Sequence, residues 1–99
     1  MIEVSEFIKK ISIILERPGM FGIQKVEDIN LVFFSEIYIN NNVELEKWCR
    51  GFSLFVINDT NESLSNFDWS KVIRLYSGSD YHSLSLFKEL LNEYYMIVA

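Results

Sequence analysis

One histidine, one cysteine and fourteen acids are the residues of this 99-residue chain with the most chemical potential. His82 and Cys49 together supply only half of a tetrahedral zinc ligand set. Glu89 and Glu93 stand four apart on a predicted helix and could share a cation, but no Glu-x-x-His pattern accompanies them as in helical di-metal sites. A nucleophilic Cys49 would need a base brought from His82, whereas its place beside Trp48 on an apolar stripe suits a thiol acting as a small hydrophobe. His82 follows Ser79-Asp80 in the first turn of a predicted helix, where it is expected to be exposed and inert. Arg17-Pro18-Gly19-Met20-Phe21-Gly22 has neither the spacing nor the following lysine of a phosphate loop. These residues predict a chain without enzymatic activity, cofactor or bound metal.

The formal net charge of −5 and pI near 4.8 disfavour direct binding to DNA or RNA, which calls for a basic face. An acidic surface suits a basic protein partner, since complementary fields speed encounter and set specificity; its plainer use is solubility. No apolar run approaches the roughly 20 residues that cross a bilayer. The N-terminus Met-Ile-Glu-Val-Ser-Glu lacks the charged and apolar regions of a secretory signal, and a single cysteine cannot form an internal disulfide. Both point to a cytoplasmic protein that does not enter membranes.

The elements that would position these residues read as helices. Val4, Phe7, Ile8, Ile11, Ile14 and Leu15 form one stripe of 3.6-residue period, which Pro18 stops at about Glu16. Pro18-Gly19 reads as a type II turn with Gly19 at positive φ, and Met20 and Phe21 as a plug inserted into the core. Ile29, Val32, Phe33 and Ile37 continue at helical spacing. With Leu31 and Phe34 that segment is apolar nearly all round, as a central buried helix would be. Asn40-Asn41-Asn42 is a connector, and Asn42 can cap a third helix carrying Leu45, Trp48, Cys49, Phe52, Phe55 and Val56, with Glu46 and Arg50 paired outside. Gly51 inside it would permit close approach of a neighbouring backbone. Asn58 to Asn66 reads as a surface loop. Asn66 or Asp68 then caps a short helix with Trp69, Val72, Ile73 and Tyr76 inward and Gly78 as C-cap. Ser79 or Asp80 opens the last helix, with Leu84, Phe87, Leu90, Leu91, Tyr94 and Val98 on its inner face. The apolar tail around Tyr95 and Ile97 is expected to pack into the core, the alternative being that part of it covers another element or joins a dimer contact. The expected architecture is all-α, one bundle of about five helices spanning residues 1–99.

The order of these features resembles small bacterial immunity proteins, which protect cells against polymorphic and contact-dependent growth-inhibition toxins. Arg17-Pro18-Gly19-Met20-Phe21-Gly22 is similar to their Arg-Pro-Gly-Met-Tyr-Leu-Gly signature after a first helix, with Phe21 for tyrosine and no residue between it and Gly22. Further matches are Val26-x-x-Ile29-x-x-Val32/Phe33, the aromatic third helix around Trp48 and Phe52, Trp69-x-x-Val72-Ile73, and Ser79-Asp80 leading to Leu86-Phe87-x-x-Leu90-Leu91. The resemblance implies a non-enzymatic inhibitor that binds the toxic domain of its own system, usually a nuclease, and blocks its active site or substrate surface. Such a nuclease carries a basic cleft that an acidic domain can occupy. Exposure and charge, rather than the family pattern, nominate Asp59, Glu62, Asp68 and Asp80 as contact residues, with Tyr81 as an aromatic anchor. The competing class is a cytosolic adaptor or regulatory domain that binds another protein through an apolar groove. As an immunity protein the chain is expected to act as a monomer or weak dimer.

Overall fold

The stripe that makes the first helix also determines which side of it the rest of the chain must cover. A computed structural model of the chain describes residues 2–60 and 69–98, with the backbone alone at 59, 60, 97 and 98. Its α-helices are α1 (Val4–Glu16), α2 (Val26–Phe34), α3 (Val43–Thr60), α4 (Trp69–Leu75) and α5 (Asp80–Val98), with no strand among the described residues. This is the all-α bundle of five helices that the periodicity predicts. Helix α1 buries Phe7, Ile8 and Ile11, with Val4, Ile14 and Leu15 half-buried at its margins. Helix α3 packs against α1, α4 and α5, and α2 against α4 and α5.

Phe33 and Phe52 hold the centre. The Phe33 ring lies 5.0 Å from Phe7, 5.9 Å from Trp48, 5.6 Å from Trp69 and 6.4 Å from Phe87. Phe52 meets Trp48, Trp69, Phe87 and Tyr94 at 5.3 to 5.8 Å. Each such pair contributes about 0.5–1.5 kcal/mol beyond area burial, so the rings tie α1, α2, α3, α4 and α5 into one core.

The turn after α1 differs from expectation. Pro18–Phe21 is a single 3-10 turn, not a type II turn. The Gly22 N–H donates to Gly19 O at 3.2 Å and the Ile23 N–H to Pro18 O at 2.9 Å, while Gly22 sits at φ 74°. That bond pair is a Schellman closure, in which the residue just past the turn must be left-handed. The glycine the backbone needs is therefore Gly22, and Gly19 has no positive φ. Met20 and Phe21 are 75% and 50% exposed, so they are not a core plug. They lie on the outer side of a turn too short to have a second covered face. Ile23, the first residue after the reversal, enters the core instead.

Helix α2 begins where the Asp28 carboxylate accepts the Gln24 and Lys25 N–H groups at 2.8 and 3.2 Å. Its buried residues Ile29 and Phe33 are four apart, and so is Ile37 beyond them. In a straight α-helix each such step drifts about 40° around the axis. The chain continues as a π-helical segment, Ser35–Ile39, whose wider turn keeps Ile37 buried. Helix α2 corrects the expectation of an all-round buried helix, because Leu31 is 63% and Phe34 39% exposed. Neighbouring helices cover only one side of α2.

Asn42 caps α3 as its type predicts: its Oδ1 accepts the Leu45 N–H at 3.1 Å. Its Nδ2 donates to Ile2 O and to Glu36 Oε2 at 3.0 and 3.1 Å, which satisfies a side chain left 1% exposed. Glu46 and Arg50 pair on the outer side of α3. Gly51 faces the Tyr94 hydroxyl, a side chain and not a backbone, and any Cβ at 51 would collide with it. Helix α3 also runs to Thr60, so the expected loop begins later than Asn58; its remainder, and the caps Asn66 or Asp68, fall outside the described residues. In α4, Trp69, Val72 and Ile73 are buried, but Tyr76 is 45% exposed because the helix has closed at Leu75. Gly78 is not a left-handed cap, and its N–H donates to His82 Nδ1 at 3.1 Å. On α5, Leu84, Phe87, Leu90 and Leu91 are buried and Tyr94 is half-buried; the Val98 side chain lies outside the described atoms.

Candidate functional site

Two surface regions flank α2, one at each end. The first is the corner between α4 and α5. Ser79 is the N-cap of α5, its Oγ accepting the His82 N–H at 3.0 Å, while the His82 ring accepts from Gly78 across the same turn. His82 is exposed, as expected, and its Nδ1 accepts the Gly78 N–H across the corner. Buried Ser83 accepts the Val26 N–H at 3.1 Å and donates to Asp80 O at 2.6 Å, which joins the start of α5 to the start of α2.

An ionic network crosses this corner. Arg74, in the last turn of α4, donates from Nε to Glu27 Oε2 at 2.9 Å and from Nη2 to Glu27 Oε1 at 2.7 Å, a bidentate fork. Its Nη2 also reaches Asp80 Oδ1 at 3.1 Å. The hydrogen bonds from Arg74 hold the Glu27 carboxyl below the usual range, against a smaller opposing effect of burial. Glu27 in turn raises the affinity of the guanidinium for its proton. Tyr81 follows Asp80 and is 80% exposed, beside a groove of about 400 Å³ that it shares with Leu15, Glu16, Pro18 and Lys88.

The second region lies between the α2–π segment and α3. Phe34 and Tyr38 stack at 5.5 Å on the outside of the bundle, Tyr38 being 65% exposed. They form one wall of a cleft of about 220 Å³ whose other lining residues include Phe33, Trp69, Cys49, Asn30, Ser53 and the Glu46–Arg50 pair. Burial pushes the Cys49 thiol up to about 12, with the Glu46 carboxylate adding to the effect, so this sulfur is a neutral thiol at neutral pH. Burial also raises Tyr94, with Cys49 contributing.

The structure brings Asp80 and Tyr81 together at the α4–α5 corner, with Asp80 already ion-paired to Arg74. Asp59 falls in the last turn of α3 and not on a loop, while Glu62 and Asp68 lie outside the described residues. Trp69 is 2% exposed, a core residue that also lines the cleft. Arg17 is exposed where α1 meets the 3-10 turn. Sequence reasoning missed the Glu27–Arg74 fork, whose members are 47 positions apart, and the Phe34–Tyr38 wall. The four-residue spacing of Ile29, Phe33 and Ile37 was the available signal for the second. Among the described residues, no group of three or more His, Cys, Asp or Glu comes together as a metal site, and no helix is long and apolar enough to cross a membrane. Compared with known proteins, the chain matches no family model, no curated protein and no solved structure.

Proposed function

We propose that this protein is a non-enzymatic immunity protein that binds the toxic domain of its own system, a basic nuclease, and neutralises it by covering the active site or substrate surface. The observation that carries this reading is the α4–α5 corner. Tyr81 stands 80% exposed on a backbone braced by Ser79, Ser83 and the Arg74 network, within a chain of net charge −5. An exposed aromatic side chain carried on a braced backbone beside carboxylates suits a contact point for a cationic surface, since tyrosine is enriched at binding hot spots. The resemblance of the motif order to that of immunity proteins supports the same reading, and the acidic balance suits a partner that must itself bind polyanions.

The test is coexpression with the toxin domain encoded immediately upstream of this chain. Survival of the cells, together with a purified complex whose association slows as salt rises, is the expected result, because exposed charges are screened beyond about 8 Å at physiological ionic strength. Tyr81→Ala should weaken the complex by at least tenfold without lowering the melting temperature. Unprotected cells and no complex between the purified proteins would remove the immunity reading and leave a cytosolic adaptor as the alternative.

A further inference from the structure

The two regions beside α2 belong to one stripe. Glu27, Asn30 and Phe34 recur at the three- and four-residue spacings that share a helix face, and the Phe34–Tyr38 stack continues that face through the π-helical segment. From Glu27 to Tyr38 the stripe is roughly 16 Å long at the α-helical rise. At one end stand Asp80 and the Glu27–Arg74 fork. At the other the cleft opens beside the exposed Phe34–Tyr38 stack.

We propose that this cleft receives a single aromatic side chain, tyrosine or tryptophan, projecting from the cationic surface of the toxin domain; the proposal rests on the immunity reading and names its second anchor point. Size selects the occupant. At about 220 Å³ the cleft is smaller than the pockets that enclose drug-sized ligands, roughly 300–1,000 Å³, yet larger than the roughly 150 Å³ apolar cavity that takes a benzene ring. Its chemistry selects a ring with a polar edge. The stacked Phe34 and Tyr38, 39% and 65% exposed, offer aromatic surface, and Asn30, Ser53 and the Glu46–Arg50 pair offer donors and acceptors to a phenol O–H or indole N–H. Charge favours a cationic partner over an acidic one, given the chain's excess of five negative charges and a corner on the same stripe where two carboxylates meet a single guanidinium. The wall also departs from ordinary helix geometry. A π-helical segment uses a less common backbone form, and such segments recur at functional sites. Here it leaves Tyr38, which lines the opening, 65% exposed.

Indole serves as a probe that does not depend on the toxin. Titrated into the full chain and followed by amide NMR, it should give saturable shifts at Asn30, Cys49, Ser53 and Trp69 with a millimolar dissociation constant. Ser53→Trp, which fills the opening from its rim, should abolish them. Absence of saturable shifts at these positions, or equal shifts in Ser53→Trp, would overturn the proposal. The second arm uses the toxin domain encoded upstream. Ser53→Trp and Tyr38→Asp should each weaken the complex at least tenfold with an unchanged melting temperature, while Lys9→Glu, on the α1–α5 side, should bind as tightly as the wild type. A wild-type complex that neither variant weakens would refute the cleft as an anchor point and leave the immunity reading standing. A wild-type chain that forms no complex would refute both.

Discussion

Phe33 and the pair Met20-Phe21 are large apolar side chains in stretches that look equally suited to a core. Phe33 is 1% exposed and touches four other rings, whereas Met20 and Phe21 are 75% and 50% exposed. The difference lies in what surrounds the backbone. Phe33 projects from a helix with α1, α3, α4 and α5 supplying rings on the facing side, so each contact that covers it also covers a neighbour. Met20 and Phe21 project from one 3-10 turn at the end of α1, where Phe21 shares a hollow with Lys10, Ile13 and Ile14. Hydrophobicity alone does not bury a side chain; a facing wall does.

The sharpest way to break this comparison is Phe33→Ala. Loss of the central ring should lower unfolding stability by about 3–5 kcal/mol in urea titration. A loss under 1 kcal/mol would mean that the rings do not hold the centre. Gly51→Val tests the same core from its edge, where the new Cβ meets the Tyr94 hydroxyl. It should cost about 1–3 kcal/mol, and Tyr94→Phe should restore part of that by deleting the oxygen. Strict additivity of the two changes would show that the collision is not the cause.

Smaller effects belong to the turn. Gly22→Ala should cost about 1–2 kcal/mol, since Gly22 is left-handed, while Gly19→Ala should stay near neutral, since nothing lies within 4 Å of an added Cβ there. Equal costs at the two glycines would contradict the Schellman closure. Met20→Ser should change stability by no more than about 0.5 kcal/mol, the range of a surface substitution. A loss of 2 kcal/mol would return Met20 to the core.

The candidate sites divide in the same way. Tyr81 was legible as an exposed aromatic residue at the head of a helix, because Ser79-Asp80 is a local start signal and Tyr81 lies off the Leu84, Phe87 and Leu91 stripe. The partner of Asp80 was not legible. Arg74 reaches it across the α4–α5 turn, six positions away, and meets Glu27 across 47 positions of chain. The cleft was still less accessible, since Phe34, Cys49 and Trp69 come from three different helices. Gly78 shows the limit of cap reading: a glycine after a helix suggests a left-handed C-cap, but here the His82 ring takes its N–H instead.

By itself the sequence determined the five helices, the stop before Pro18, the cap at Asn42, a start for α5 at Ser79 or Asp80, and the inward stripes of α1, α3 and α5. All of these follow from interactions within about one helical turn, where period and cap chemistry act without help from the rest of the chain. Only the tertiary structure decided which apolar residues remain outside, which glycine carries the turn, and which acid meets Arg74. Those outcomes depend on the wall or charge that another element brings into contact, and no local pattern in the chain specifies where that element will lie.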